Sequence, residues 1–205
     1  MGLERTVEPV ADAVTIHMAK KQCEIGGSDT THDAHLQRLI AGAVRDVERY
    51  TRRALITQTW QLTLKDFPEW ELALPRPPLQ SVTSIVYQDE DGVEQTLSTS
   101  LYQVSSRSTP AVLIPAYNEV WPSTRVLTLD TVRITYVAGF GDDSSSVPVE
   151  FQNLICELVA FRFANRGDMA TGATGRQGRD MPSHIKWSLD SLRCGVTMGN
   201  YRVKD

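Results

Sequence analysis

The feature that most constrains this chain is a change of hydrophobic period, from helical to strand-like and back to helical. Between residues 36 and 55, apolar side chains recur at steps of three and four, which predicts an amphipathic helix. From about residue 57 to 138 the step becomes two, as in half-buried strands. A second helical stripe runs from Phe151 to Val159. We expect an α+β fold in which two helices, distant in sequence, pack together and bracket an antiparallel β unit.

Within the β region the alternation is clearest at Trp60, Leu62 and Leu64, which are separated by polar residues. Asp91-Gly92 is a dipeptide typical of a hairpin turn. Short runs rich in β-branched and aromatic residues predict further strands, at 72–74, 82–88, 93–97, 102–105, 111–114 and 126–137. The middle of the chain is therefore predicted to be one antiparallel unit.

The ends of the chain differ from this middle part. Residues 1–27 are predicted to be a separate N-terminal segment, a mobile arm with a short helix from Ala13 to Ile25. Residues 28–166 form the predicted core. Residues 167–205 are rich in glycine and arginine, which predicts an extended C-terminal arm without a core of its own. The expected architecture is a helical bundle core, an inserted β unit and this arm.

Composition excludes several classes of protein. A hydrophobic content of 41% argues against wholesale disorder, and a net charge of −4 gives no overall attraction to nucleic acid. The three cysteines are far apart, so their spacing indicates neither a disulfide framework nor a zinc site. No apolar stretch is long enough to predict a membrane span.

Motifs for catalysis are also weak. His32 and His35 lie at helical spacing but lack the His-Glu-x-x-His pattern of a metal site, so a solvated helix start is a better interpretation. The glycines at 172, 175 and 178 lack the Gly-Lys-Ser/Thr ending of a phosphate-binding loop. No serine lies in a Gly-x-Ser-x-Gly turn. We therefore predict no catalytic residues, no cofactor and no metal.

The C-terminal segment is locally basic in an acidic chain. Arginine, tryptophan and tyrosine dominate protein-binding hot spots, and this segment contains Arg176, Arg179, Trp187, Tyr201 and Arg202. Two interpretations stay open: a disordered end with ordinary residues, or a docking arm that becomes ordered on a partner.

The order of sequence phrases resembles a known family. The chain runs through VERYTRRALITQTWQLTLKDFP, LPRPPLQSVTSIVYQDEDGVEQTL, YQV, IPAYNEVWPSTR, VRITYVAGFGD and VPVEFQNLICELVAFRFANRGD. This succession resembles the head–tail connector (adaptor, or head-completion) family of long-tailed bacteriophages and gene transfer agents. The resemblance covers about residues 12–168, and the longer, more basic C-terminus departs from it.

The resemblance implies a structural virion protein located at the virion neck and assembled in the host cytoplasm. It implies a ring, commonly of twelve copies, between the portal protein and a tail-side neck or stopper protein. DNA would pass through the ring without specific binding. The predicted docking arm would then bind the portal.

A ring requires contacts between identical subunits, and opposite charges are candidates for them. Arginines on the outer side of the first long helix would face acidic loops of the next copy. The predicted interface residues are Arg45, Arg49, Arg52, Arg53, Asp89 and Asp91.

Two rival functions remain at this point. A nucleic-acid-binding module would use the arginine-bearing helix face and the basic tail, although the acidic balance of the chain argues against it. A small hydrolase would need a pocket that the sequence does not reveal.

Overall fold

A computed structural model of the chain describes residues 1–125, 129–165 and 182–195. These residues form eight β-strands and four α-helices. The strands are β1 Gly2–Val7, β2 Gln58–Leu64, β3 Leu72–Ala73, β4 Leu79–Gln88, β5 Glu94–Thr96, β6 Tyr102–Ser105, β7 Val112–Pro115 and β8 Val132–Ala138. The helices are α1 Ile16–Gln22, α2 Asp33–Thr51, α3 Val149–Ala164 and α4 Ser183–Leu192.

The described residues divide into two compact units. The β unit contains residues 1–10, 52–125, 129–140 and 194–195. The helical unit contains residues 11–51, 141–165 and 182–193. The prediction of a fold that mixes helices with antiparallel strands is confirmed.

The β unit contains two antiparallel sheets. Five strands pair in the order β1-β2-β8-β4-β5, and three pair in the order β3-β7-β6. Alternation at period two buries one face of each central strand, so Leu62 pairs with Ile134 and both are fully buried. A cluster of buried apolar residues fills the unit. The β strands therefore enclose a core of their own. The sequence pattern instead predicts strands inserted into a helical bundle core.

The two ends of segment 52–140 lie next to each other. Phe140 N–H donates to the Leu55 carbonyl (3.1 Å), and Gly139 N–H donates to the Pro78 carbonyl (2.9 Å). Gly139 has a φ of +136°, and a Cβ at this position would lie 2.5 Å from the backbone carbonyl of Ile56. Only glycine fits this crossing without a shift of the backbone.

The helical unit is held together by α2 and α3, which contact each other as predicted. The residues predicted for this contact are buried or half-buried: Leu39, Val44, Val47, Phe151, Ile155 and Val159. An ion pair between Asp46 and Arg162 joins the two helices at the edge of this contact. The amphipathic pattern of α2 thus identifies its buried face correctly.

Helix α4 packs against both α2 and α3. Ile185 and Leu189 are each only 1% exposed, and Tyr50 Oη donates to the Asp190 carboxylate at 2.5 Å. Arg193 lies over the Tyr50 ring, 5.7 Å from its centroid. The described part of segment 167–205 is therefore a packed helix rather than an extended chain, and Leu189 is buried within the chain instead of awaiting a partner.

Two boundaries also differ from the expectations. Residues 2–7 form β1, an edge strand paired with β2, where a mobile arm was expected. Helix α2 ends at Thr51 rather than near Leu55, because Arg52 adopts a positive φ of 58° and Ala54 and Leu55 are buried in the β unit.

Candidate interaction surfaces

Candidate metal ligands do not gather in the described ranges. No cluster of three or more His, Cys, Asp or Glu side chains that could hold a metal ion occurs among those residues. His32 and His35 instead lie beside the Phe163 ring, with centroid distances of 5.4 and 6.0 Å. His35 on α2 and His32 just before it therefore pack against α3.

A groove of about 230 Å³ lies between α3 and α4. Its lining includes Glu150, Glu157, Ser188 and Ser191. The volume is below that of typical small-molecule pockets, which begin near 300 Å³. None of the described helices is both long and apolar enough to span a bilayer.

Two loops of the β unit are joined by an aromatic stack. Loop A (residues 65–71) follows β2, and loop B (residues 116–122) follows β7. The Phe67 and Trp121 rings stack at 4.9 Å with an interplanar angle of 5°, and both side chains are buried. Thr124 Oγ1 donates to the Asp66 carboxylate at 2.7 Å, which adds a polar link beside the stack. These contacts hold the two loops next to each other.

The joined loops carry exposed apolar side chains. Trp70 is 74% exposed, Tyr117 86% and Val120 81%. Three glutamates are also exposed on the same loops: Glu69, Glu71 and Glu119. We call these six residues the acidic aromatic patch. Exposed aromatic side chains on a well-supported loop are typical of protein interfaces.

Helix α2 carries a basic surface on the side opposite its buried stripe. Arg38, Arg45 and Arg49 are exposed and lie on one face of the helix, because their spacing of seven and four residues approximates whole turns. Ala34 and Ala41 are exposed on the same face. We call Arg38, Arg45 and Arg49 the arginine stripe. Within the described ranges, none of the three forms an ion pair.

The predicted subunit-interface residues fall into several environments. Arg45 and Arg49 belong to the arginine stripe, whereas Arg52 and Arg53 are half-buried at the start of the β unit. The Asp89 carboxylate accepts hydrogen bonds from Val93 N–H (2.8 Å) and Gln95 Nε2 (2.9 Å). Both hydrogen bonds lower the pKa of Asp89, and the bond from Gln95 has the larger effect. Asp89 thus supports the β4–β5 turn, while Asp91 is exposed.

The predicted portal-binding residues are described only in part. Arg176, Arg179, Tyr201 and Arg202 lie outside the described residues. Trp187 lies on α4 and is 74% exposed, on the side away from Ile185 and Leu189. A tryptophan displayed on a packed helix is suited to anchor a partner protein.

The hydrogen bond from Thr124, just after loop B, to Asp66 in loop A predicts a measurable effect. Thr124→Val keeps the shape of the side chain but removes the hydrogen bond to Asp66, so we expect the free energy of unfolding to fall by about 1 kcal/mol. Urea denaturation followed by circular dichroism measures the change. Thr83, exposed on β4, gives a matched control, because Thr83→Val removes no described hydrogen bond. Equal stability of the two variants would mean that the link contributes nothing.

Comparison with known proteins gives structural matches. No family model and no curated protein matches the sequence. A chain in a structure of the neck of an empty gene transfer agent (GTA) particle, computed with C6 symmetry, matches with a TM-score of 0.76 and 23% identity, over 98% of this chain and 100% of that one. A chain in the virion of a native GTA particle matches with a TM-score of 0.75 and 23% identity, over 97% and 98% of the two chains.

A third match is a chain in the neck of a native GTA particle computed with C12 symmetry. Its TM-score is 0.70 and its identity 22%, over 98% of this chain and 100% of that one. The likeness extends over nearly the whole length of each of these three chains. The resemblance identified from the sequence is therefore confirmed at the level of the fold.

Proposed function

We propose that this chain, which has the fold of chains in gene transfer agent necks, is a structural protein of the virion neck of a phage-like particle. The observation that carries the proposal is the full-length likeness, which covers 98% of this chain and 100% of a neck chain. The role is structural assembly rather than catalysis.

The finer proposal is a head–tail connector that forms a closed ring of twelve copies. The neck structures that share the fold were computed with C6 and C12 symmetry, which supports a cyclic arrangement. A closed ring needs two different surfaces on each copy, one for each neighbour. The ring would lie between the portal and a tail-side neck protein, complete the head and surround the passing DNA.

Assembly in particles tests this function directly. We expect particles produced without this chain to contain heads that fail to join tails and lose their DNA. Supplying the chain in trans should restore joined particles, and cryo-electron microscopy should locate twelve copies in a ring at the neck. Particles that mature normally without the chain, or that contain it elsewhere, would contradict the proposal.

The portal contact is proposed for segment 167–205, with Trp187 as its apolar anchor. Trp187→Ala removes an exposed side chain and leaves Ile185 and Leu189 in place, so we expect an unchanged fold and at least tenfold weaker binding to purified portal. Titration calorimetry measures the binding. Lys186→Ala, an exposed neighbour on the same helix, is the control. Portal binding equal to that of the unchanged chain would move the contact elsewhere.

A nucleic-acid-binding module is the second candidate, and the arginine stripe is the observation that favours it. Three exposed arginines on one helix face could contact successive phosphates. The two functions differ in salt dependence: a DNA-binding protein should lose duplex binding steeply between 50 and 200 mM salt, whereas the proposed connector should bind duplex weakly at both concentrations.

A further inference from the structure

We propose that the acidic aromatic patch of one copy binds the arginine stripe of the next copy in the ring. This inference rests on the proposed function, since it names the contact that would close the ring. Each of the two surfaces binds another copy of this chain.

Charge complementarity is the first argument. The patch presents three exposed carboxylates, Glu69, Glu71 and Glu119, and the stripe presents three exposed guanidinium groups. None of these six charged groups forms an ion pair with another described residue of its own chain. Two surfaces of equal and opposite charge attract each other and suppress contacts between like surfaces.

Side-chain chemistry is the second argument. A guanidinium group stacks on aromatic rings and forms paired hydrogen bonds with carboxylates, which lysine does less well. Trp70 and Tyr117 are both largely exposed on the same two loops as the glutamates. The exposed Ala34 and Ala41 keep the face of α2 low between the arginines, so aromatic rings can approach it. The patch therefore offers both kinds of group that arginine binds well.

Both surfaces are held in place by the fold of their own chain before they associate. The stacked Phe67 and Trp121 rings hold the two loops of the patch together. The stripe lies on a helix of 19 residues and extends about 16 Å from Arg38 to Arg49, given the rise of 1.5 Å per residue. Surfaces ordered before association lose less entropy when they bind.

The patch differs from the stripe, so their contact is heterologous. Such contacts repeat from copy to copy and form a ring when the rotation closes. The hairpin acids that the sequence analysis assigned to this contact are less suitable, because the Asp89 carboxylate already accepts two hydrogen bonds within its own turn.

Charge reversal tests the contact in both directions. The stripe variant is Arg45→Glu with Arg49→Glu, and the patch variant is Glu69→Arg with Glu119→Arg. We expect each variant to fold normally but to associate roughly 100-fold more weakly with itself, since attraction becomes repulsion at the contact. An equal mixture of the two variants should assemble when the copies alternate, because each patch then meets a stripe of opposite charge. The single chain with all four substitutions is a second rescue. That chain should recover assembly, because the reversed charges are again complementary.

Two measurements follow these variants: sedimentation of the purified chain at high concentration, and the number of copies retained in the neck of complemented particles. Lys21→Glu and Glu90→Arg reverse exposed charges outside the two surfaces and should assemble normally. Circular dichroism verifies the fold of every variant. Neck occupancy by the unchanged chain tests the proposed function separately from the contact.

Three results would overturn the contact while leaving the ring intact. The first is normal neck occupancy by either reversed variant. The second is failure of the chain with all four substitutions to assemble, although every variant is folded. The third is a patch variant that keeps the ring but loses another neck protein, which would assign the patch to that protein. Absence of the unchanged chain from the neck would overturn the proposed function itself.

Discussion

Ending the chain after Gly167 is expected to lower the free energy of unfolding of the helical unit by about 3–6 kcal/mol. The truncation removes α4, and with it the buried side chains of Ile185 and Leu189. Full burial of a large aliphatic side chain contributes about 1.5–3 kcal/mol, so two of them account for this range. The hydrogen bond from Tyr50 to Asp190 is lost as well. Guanidinium denaturation followed by circular dichroism measures the loss.

A chain ending after Gly195 is the matched control, because it keeps α4 and the residues that contact it. We expect this longer chain to retain nearly the full stability of the helical unit. An equal unfolding midpoint for both truncations would show that α4 adds no stability. The chain ending after Gly167 therefore lacks part of the helical unit as well as any docking surface. Trp187→Ala tests portal binding more specifically.

Gly139→Ala is expected to destabilise the β unit by about 2–5 kcal/mol, because backbone strain and overpacking add together. The new Cβ would lie 2.5 Å from the carbonyl carbon and oxygen of Ile56, and the φ of +136° disfavours any side chain. The hydrogen bonds of Gly139 to Pro78 and Gln80 would have to shift with the backbone. Thermal and urea unfolding measure the change.

Gly26→Ala serves as the comparison for Gly139→Ala. A Cβ at Gly26 meets no atom within 4 Å, so we expect this substitution to change stability by at most about 0.5 kcal/mol. A Gly139→Ala chain as stable as the Gly26→Ala chain would refute the argument from the close approach of the two backbones.

The two long helices were predictable because their sequence pattern matches their burial. In α2 the apolar residues fall on one stripe, and that stripe holds most of the helix's buried positions. The central strands were predictable for the same reason: β2 and β8 alternate between buried and half-buried positions along their whole length. The hydrophobic period of a sequence indicates which residues are buried when one face of a helix or strand packs on a core and the other face does not.

The elements at the two ends were not predictable in this way. Strand β1 is an edge strand with only half-buried or exposed residues, so its sequence lacks a strong apolar signal. Helix α4 buries just Ile185 and Leu189 in ten residues, and a glycine-rich stretch precedes it. Both elements depend on partners far away in sequence, and local patterns do not identify those partners.

The candidate surfaces were predictable only as separate pieces. Trp70 and Tyr117 lie between strands predicted from the sequence, but the stack that joins their loops links Phe67 to Trp121, which are distant in sequence. The arginines were assigned to one helix face, yet Arg52 and Arg53 lie beyond the end of α2. Hydrophobic period does not reveal where a helix stops when a positive φ ends it.

The division of the helical unit between two distant stretches of chain has a consequence for synthesis on the ribosome. Helix α2 ends at Thr51 and α3 begins at Val149, so about 100 residues are translated between them. At about 5–20 residues per second, the apolar stripe of α2 waits about 5–20 s for its partner. During that interval the nascent chain displays a surface suited to chaperone binding. Slow translation of residues 52–140 should therefore increase aggregation of this protein more than slow translation after α3 has emerged.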